Sequence, residues 1–370
     1  MSSSLRLGRF FGIELGINWS WLVIFVLIVW SLAAAIFPAQ NPDLGEAAYL
    51  AMALVAALAF FTSLIAHEYG HALVARREGM QIEGITLWLF GGVARFKGMF
   101  PSAGAEFRIA IAGPLVSLAL GILFVLLAVG AGLPEAADAV VAWLGYINLA
   151  LLAFNLLPAL PLDGGRILRS LLWQARGDFR WATTIAAGVG RGFGYAFIAG
   201  GILLFIVADS FSGAWLAFIG FFLLQAAGGE ARYGATREAL EGLRVRDLMV
   251  REPATVEADL TIGQAIDEVV RARRHTTYPV VENGAVVGLL PFRSVAAVPR
   301  SRWDTTTVRD CLVPLAEIPV LAEDDPAIDA LVELGESTLG RGVVLDGARL
   351  GGIISIVDLA RALEAPPRRR

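Results

Sequence analysis

The chain has 370 residues, of which 56% are hydrophobic and 17% are charged, and its formal net charge is −4. This composition is typical of an integral membrane protein, and the small negative charge argues against a nucleic-acid partner. Cys311 is the only cysteine, which excludes an intramolecular disulfide. It falls in a region of ordinary polarity, where we expect a half-buried thiol.

Six uncharged stretches predict transmembrane helices, because about 20 apolar residues are needed to cross a bilayer. The first is too long for the core of a signal peptide and has no convincing cleavage site, so we expect a retained helix. The fifth is short, and we expect it to begin earlier, near Trp181. The stretches are 17–37, 47–66 with a continuation to 75, 109–133, 139–162, 192–208 and 210–229.

The distribution of lysine and arginine between these stretches predicts the orientation of the chain. The connections 38–46 and 134–138 contain neither residue type, whereas the connections on the opposite side contain many arginines. We therefore expect a multi-pass protein of a prokaryotic cell membrane, surrounded by the lipid bilayer, with both termini in the cytoplasm.

The second stretch ends in His67-Glu68-Tyr69-Gly70-His71. On a helix, residues i and i+4 share a face, so both histidines can bind one Zn²⁺ ion while Glu68 reaches a water molecule beside it. A chance pattern with nothing bound is the alternative. Ionisable side chains are costly inside an apolar span, so a cluster of three favours a functional zinc site.

Between the second and third stretches, residues 84–96 predict a β-hairpin. Two apolar runs flank Gly91-Gly92, a pair suited to a tight turn. A hairpin that lies partly in the membrane could pair its edge strand with an unwound substrate, which makes Gly91 and Gly92 candidate substrate-binding residues. An ordinary interfacial hairpin is the alternative.

The fourth stretch closes with Asn155-Leu-Leu-Pro-Ala-Leu-Pro-Leu-Asp163-Gly-Gly. Its prolines and glycines should break the helix, so that the backbone can fold around a site. A zinc hydrolase needs a third protein ligand, and Asp163 is the best candidate; a surface turn is the alternative. Asn155 is a candidate donor to the substrate carbonyl or its oxyanion, or else it bonds a neighbouring helix.

These two motifs, together with Ala112-Gly113-Pro114 at the start of the third stretch, resemble the site-2 protease family of intramembrane zinc metalloproteases. The resemblance covers about residues 1–230. It implies cleavage of a single-span membrane-protein substrate that is held extended. It assigns roles to five residues: the zinc ligands His67, His71 and Asp163, the catalytic base Glu68, and Asn155, which helps to hold the substrate.

After Gly229 charged residues return, and a linker leads to a soluble region of about 120 residues. This region repeats internally, because Val245-Arg-Asp-Leu-Met recurs as Val308-Arg-Asp-Cys-Leu. The two repeats resemble a tandem cystathionine-β-synthase (CBS) pair. The expected fold class is therefore a polytopic α-helical membrane domain with about six transmembrane helices and a membrane-associated β-hairpin, followed by a soluble α/β tandem CBS domain.

By this resemblance, the CBS pair binds ATP, ADP or AMP and allows a homodimer through these domains. In the second repeat, Gly352-Ile-Ile-Ser355-Ile-Val-Asp358 matches the ribose-binding signature, since a carboxylate at a helix start can accept both ribose hydroxyls. A plain helix cap is the alternative for Asp358. The resemblance adds Val245, His275 and Thr276 of the first repeat to the expected nucleotide site.

The sequence thus predicts an intramembrane metalloprotease domain at 1–230, a linker at 231–243, CBS repeats at 244–306 and 307–364, and a basic tail at 365–370. The expected activity is regulated intramembrane proteolysis, modulated by adenine nucleotide. Two other classes stay open, a CBS-regulated transporter or channel and a proteolytically inactive membrane scaffold. A glutamate placed as a base and the presence of every expected ligand favour the protease.

Overall fold

A computed structural model describes residues 5–88, 91–97, 100–207, 211–240, 242–270, 275–347 and 349–364. The chain forms two compact units, residues 1–234 and 235–370. The described residues contain six helices that are long and apolar enough to cross a membrane, which confirms the six predicted spans. These are Ser20–Gln40, Glu46–Arg77, Ala103–Gly130, Glu135–Asn155, Phe179–Val207 and Ser212–Thr236.

The bounds of all six spans differ from the predicted stretches, and the fifth begins at Phe179, close to the expected start near Trp181. The first consists of α1 (Ser20–Ser31), a π-helical turn and α2 (Phe37–Gln40). The fourth ends at Asn155 and not at 162, because Pro158 and Pro161 cannot continue an α-helix. The helices that follow are α3 (Glu46–Arg77), α4 (Ala103–Gly130), α5 (Glu135–Asn155), α6 (Asp163–Arg176), α7 (Phe179–Val207) and α8 (Phe211–Leu240), the last of which continues past residue 234.

The short helix α6 was not predicted from the sequence. It begins directly at Asp163 and ends before Gly177, whose φ of 74° is typical of a glycine that terminates a helix. A Cβ on Gly164 would lie 2.3 Å from the carbonyl oxygen of Leu156. The start of α6 therefore packs directly on the turn that follows α5, and Asp163 is a buried helix start and not part of a surface turn.

A four-stranded sheet belongs to the same unit, in the order β1 (Leu5–Phe10), β2 (Ile13–Ile17), β3 (Gln81–Trp88) and β4 (Gly91–Lys97). β2 and β3 are parallel, and the other two pairs are antiparallel. The predicted hairpin is present, but the prediction that Gly91 and Gly92 form its turn was wrong. They pair with Trp88 and Leu87 within the ladder, and residues 89 and 90 between the two strands lie outside the described residues.

α3 lies at the centre of the first unit. Ala53 and Ala56 are fully buried on it, and small side chains of this kind let neighbouring helices approach closely. Leu32 and Phe37 of the first span and Leu144 of α5 pack against the same part of α3. The helix that carries the histidine motif is therefore enclosed by protein along much of its length.

The second unit contains two α/β repeats, which agrees with the internal sequence repeat. Its first half comprises α9 (Val245–Leu248), β5 (Val250–Arg251), β6 (Val256–Glu257), α10 (Ile262–Ala265), β7 (Thr277–Glu282), β8 (Ala285–Pro291) and α11 (Phe292–Ala297). Its second half comprises β9 (Val313–Pro314), β10 (Val320–Ala322), α12 (Ala327–Glu336), β11 (Arg341–Asp346), β12 (Arg349–Ser355) and α13 (Ile356–Glu364).

The two repeats exchange one strand each. One sheet has the order β6-β7-β8-β9 and the other β10-β11-β12-β5. Val250 of the first half therefore pairs with Ile353, and Val313 of the second half pairs with Leu289. The exchange makes each sheet depend on both halves of the sequence.

Cys311 is half-buried beside the sheet β6-β7-β8-β9, as expected from the sequence. Burial together with the neighbouring Asp310 carboxylate raises the pKa of its thiol.

Glycines let α7 and α8 pack backbone against backbone. A Cβ on Gly201 would lie 2.5 Å from the carbonyl oxygen of Gly213 and 2.5 Å from the backbone nitrogen of Ala217. A Cβ on Gly220 would lie 2.6 Å from the carbonyl oxygen of Gly194. This spacing between the two helices requires that no side chain is present at these positions.

We expect Gly201→Ala to lower the melting temperature of the detergent-solubilised protein, because the added methyl group forces α7 and α8 apart. Gly200→Ala is the matched control, since a Cβ at Gly200 has nothing within 4 Å. That variant should be neutral or slightly stabilised, as alanine is favoured over glycine within a helix by about 1 kcal/mol. Thermal unfolding followed by circular dichroism measures both, and equal melting temperatures would contradict the predicted packing.

Candidate metal centre and catalytic cavity

His67 and His71 lie one turn apart on α3, and Asp163 is the first residue of α6. All three side chains are buried. The two histidine Nε2 atoms are 3.2 Å apart, and each is 3.2 Å from Oδ2 of Asp163. Ligand atoms about 2.0–2.1 Å from a tetrahedral zinc ion are about 3.3–3.4 Å from one another. The triangle therefore has the size expected for three ligands of a single zinc ion.

One face of α4 orients both imidazole rings. Nδ1 of His67 is 2.8 Å from Oγ of Ser117, and Nδ1 of His71 is 2.7 Å from the carbonyl oxygen of Ile109. A carbonyl oxygen can only accept, so Nδ1 of His71 carries the proton and Nε2 is left to bind a metal. The Ser117 hydroxyl can accept from His67 in the same way. Both rings thus point Nε2 towards Asp163.

Gly113 lies midway between Ile109 and Ser117 on this face of α4. A Cβ at Gly113 would lie 2.3 Å from Nε2 of His71 and 2.6 Å from Nε2 of His67. Any larger residue would fill the space towards which the ligand nitrogens point. The three ligand atoms, the groups that bond Nδ1 of the two histidines, and the space left open at Gly113 together fit a zinc ion.

The ligands border a cavity of about 610 Å³. Glu68, which follows His67 on α3, and Asn155, which ends α5, line it together with the ligands. Apart from these five residues and Arg166, the described residues that line the cavity are apolar or glycine. The cavity brings together every residue that the sequence predicted for the protease site, namely His67, Glu68, His71, Gly91, Gly92, Asn155 and Asp163.

The edge strand β4 passes close to Glu68. A Cβ on Gly92 would lie 2.3 Å from Cγ of Glu68, so this approach requires glycine. β4 is the last strand of its sheet, with β3 on one side and the cavity next to it. An extended chain that paired with this edge would run beside the carboxylate of Glu68.

α6 also carries a buried ion cluster. Nε of Arg169 donates to Oε1 of Glu106 at 2.8 Å, and Nη1 donates to Oε2 of Glu230 at 2.8 Å. Arg169 is 1% exposed and Glu106 is 0% exposed. Glu106 lies on α4 and Glu230 on α8, so the cluster fixes the helix that bears Asp163 to two of the spanning helices.

In the second unit, Ser355 and Asp358 form a helix cap. The amide and Oγ of Ser355 donate to Oδ2 of Asp358 at 3.0 and 2.5 Å, and the amide of Asp358 donates to Oγ of Ser355 at 3.3 Å. Oδ1 of Asp358 lies 3.7 Å from the guanidinium of Arg361. The capping role considered from the sequence is therefore present, and binding of a ribose stays a prediction.

The other residues predicted for the nucleotide site lie in different surroundings. His275 and Thr276 are exposed, just before β7. Val245 is fully buried in a core cluster with Ile354 and Leu359, so its side chain is not available to a ligand. A part in nucleotide binding remains a prediction for all three.

Three important residues of the first unit were not assigned roles from the sequence: Ser117, Arg166 and Arg169. The spacing of Ile109, Gly113 and Ser117 was an available signal, because residues four apart share a helix face. Asp163, Arg166 and Arg169 likewise recur at intervals of three. Arginines at this spacing beside apolar spans indicate a face directed at protein and not at lipid.

The family model of peptidase family M50 matches residues 55–135 and 130–199, and that of the CBS domain matches residues 245–300. Rip3 of Mycobacterium tuberculosis is 38% identical over 98% of this chain and 94% of its own length. A zinc metalloprotease of Methanocaldococcus jannaschii is 30% identical over 98% of this chain and 97% of its own.

The chain belongs to peptidase family M50. This M50 protein is also similar to the solved structure of a site-2 protease from Methanocaldococcus jannaschii, with 30% identity, coverage of 62% of this chain and 95% of that chain, and a TM-score of 0.43. Membership places the chain in a zinc metalloprotease family of multi-pass membrane proteins, here with a C-terminal CBS pair.

We predict that Ser117→Ala lowers the zinc affinity of the M50 site by about 10- to 100-fold, the usual cost of losing a partner that orients a metal-binding histidine. Competition with a zinc chelator measures the affinity. Ser63→Ala is the matched control, because Ser63 is a buried serine one turn before His67 whose hydroxyl donates to its own helix at 3.0 Å. Equal zinc affinities of the two variants would contradict the role of Ser117.

Proposed function

We propose that this M50 protein is an intramembrane zinc metalloendopeptidase that cleaves the transmembrane segment of a single-span membrane protein, as a step of regulated intramembrane proteolysis. The observation that carries the proposal is one cavity, among helices apolar enough to span a membrane, that contains three zinc-type ligands, Glu68 and Asn155. A transporter or channel needs ion ligands but no base next to them, and an inactive scaffold needs neither. Proteolysis uses all five residues.

His67, His71 and Asp163 would hold zinc, which would supply Lewis-acid chemistry and lower the pKa of a water molecule. Glu68 accepts a proton from the attacking water as the water oxygen adds to the carbon of the scissile carbonyl. Asn155 donates a hydrogen bond to the carbonyl oxygen while negative charge develops there. Glu68 then delivers the proton to the leaving nitrogen as the C–N bond breaks, which gives a new carboxylic acid and a new amine.

We infer that the substrate is held as an extended strand along β4. A transmembrane helix shields its carbonyl groups in hydrogen bonds between residues four apart, so the scissile region must unwind before attack. Pairing with an edge strand would replace the hydrogen bonds that are lost. Two features support this site: β4 is the last strand of its sheet, and Gly92 brings it close to Glu68.

We propose that the N-terminus and the CBS pair face the cytoplasm. Arg76 and Arg77 end α3, and Arg176 ends α6. The connection from α2 to α3 and the connection from α4 to α5 contain no lysine or arginine. Basic residues favour the cytoplasmic side of a membrane, so the zinc ligands would lie in the cytoplasmic half of the bilayer.

Glu68→Gln provides the central test of this function. The substitution keeps the size of the side chain but removes the base, so cleavage of a single-span substrate in proteoliposomes should fall by a factor of about 10² to 10⁴ or more while zinc content stays at one ion per chain. Glu78→Gln is the matched control, as Glu78 bonds the exposed Arg108 at the end of the same helix. Undiminished cleavage by Glu68→Gln would refute the mechanism.

We further propose that an adenine nucleotide at the CBS pair modulates the protease. α8 extends from the membrane span to Leu240, which packs in the core of the second unit with Leu359. Glu230, on the same helix, bonds Arg169 of α6. If the affinity of the CBS pair for the nucleotide differs between two positions of α8, binding would shift α8 and would therefore also act on the helix that holds Asp163.

Binding of ATP, ADP or AMP to the full-length protein tests this part of the proposal by calorimetry. Asp358→Ala should weaken binding by at least about tenfold, or about 1.4 kcal/mol. Asp310→Ala is the control, because Asp310 accepts from the amide and hydroxyl of Thr307 just as Asp358 accepts from Ser355. Both variants lose a cap, but only Asp358→Ala should lose nucleotide. Equal affinities, or no binding at millimolar nucleotide, would contradict the site.

A further inference from the structure

Arg166 is the single lysine or arginine among the described residues that line the catalytic cavity. It lies one turn after the ligand Asp163 on α6. Its Nε is buried and has no hydrogen-bond partner within the part of the chain that the structure describes. The guanidinium carbon is 5.9 Å from the centre of the Phe100 ring, a contact that holds the cation without using its N–H donors.

The neighbouring arginine on this face of α6 has the opposite character. Arg169 directs its Nε and Nη1 donors to Glu106 and Glu230, both at 2.8 Å, and is enclosed by protein. Its charge is fully used in holding helices together. Arg166, in contrast, borders the cavity that contains Glu68 and Asn155, with a donor still available.

The charges around the cavity indicate what Arg166 would bind. Among the described residues that line the cavity, Glu68 and Asp163 are the acidic side chains and Arg166 is the basic one. A peptide substrate is neutral, but its carbonyl oxygen becomes negative when water adds and Glu68 takes the proton, so negative charge moves from Glu68 to the carbonyl oxygen. A guanidinium at the cavity wall would favour this arrangement of charge over the neutral substrate.

We propose that Arg166 is a catalytic residue that donates hydrogen bonds from its guanidinium to the scissile carbonyl oxygen as that oxygen becomes negative. The inference rests on the proposed proteolysis and adds a second electrophilic group to it. Asn155 is the neutral donor that holds the carbonyl in the ground state. Arg166 supplies the charge that favours the tetrahedral anion over the neutral substrate.

Full-length Arg166→Gln and Arg166→Lys proteins in proteoliposomes test this role. Arg166→Gln should lower kcat by about 10² to 10³, the usual effect of losing one oxyanion donor, with KM changed by less than about threefold. Arg166→Lys keeps the charge without the planar fork and should recover at least about tenfold of the loss. Both variants should hold as much zinc as the wild type.

A second measurement does not depend on turnover. A phosphinic peptide carries a tetrahedral anion at the scissile position, and Arg166→Gln should weaken its binding by the same factor by which kcat falls. The matched peptide with an ordinary amide, measured in the Glu68→Gln background, should bind equally with or without Arg166. Arg108→Gln is the control for loss of a guanidinium, because the exposed Arg108 donates to Glu78 outside the cavity.

The outcomes separate this role from the proposed function. Wild-type kcat for Arg166→Gln beside an inactive Glu68→Gln would overturn the role of Arg166 and leave the protease intact. A change confined to KM, or loss of zinc from both Arg166 variants, would overturn it as well. If the wild type cleaves no membrane substrate, the proposed function fails, and the difference in affinity between the two peptides alone decides on Arg166.

Discussion

The rest of the catalytic unit depends on the packing of one face of α4 against the histidines of α3. Ile109 and Ser117 are two turns apart on α4 and hydrogen-bond His71 and His67, which are one turn apart on α3. Gly113 between them sets the distance between the helices, because a Cβ there would occupy the space in front of both Nε2 atoms. This one contact therefore orients the rings, leaves room for the metal and sets how closely the two helices approach.

A polar or charged group beside an apolar cavity is costly to bury unless it is paired. The M50 unit places such groups in two ways. Arg169 is paired with Glu106 and Glu230, and removal of one partner from a buried pair of this kind typically costs about 3–5 kcal/mol. The zinc ligands and Arg166 instead line the cavity. Charges paired between helices hold the fold together, whereas charges at the cavity wall are placed for chemistry.

The sequence predicted those parts of the site that follow from local pattern. The spacing of His67 and His71 on a helix, and the break of α5 before Asp163, need only neighbouring residues. Local pattern could not predict contacts between distant segments. Ser117 contacts a histidine 50 positions away, and β2 forms a strand by pairing with β3. In the CBS pair, the spacing of Ser355 and Asp358 suits both a helix cap and a ribose ligand, so no local pattern could decide between them.

α6 connects the ligand triangle to α8 through one short helix. Asp163, Arg166 and Arg169 follow one another on this 14-residue helix, the first at the ligand triangle, the second at the cavity and the third bonded to α8. If this helix moves as a rigid body, a shift of α8 transmitted through Arg169 would also displace Asp163. Misplacement of a catalytic group by about 1 Å can cost about 10²-fold in rate. A movement of α8 of this size would therefore be enough to change the rate of the proposed reaction without blocking the cavity.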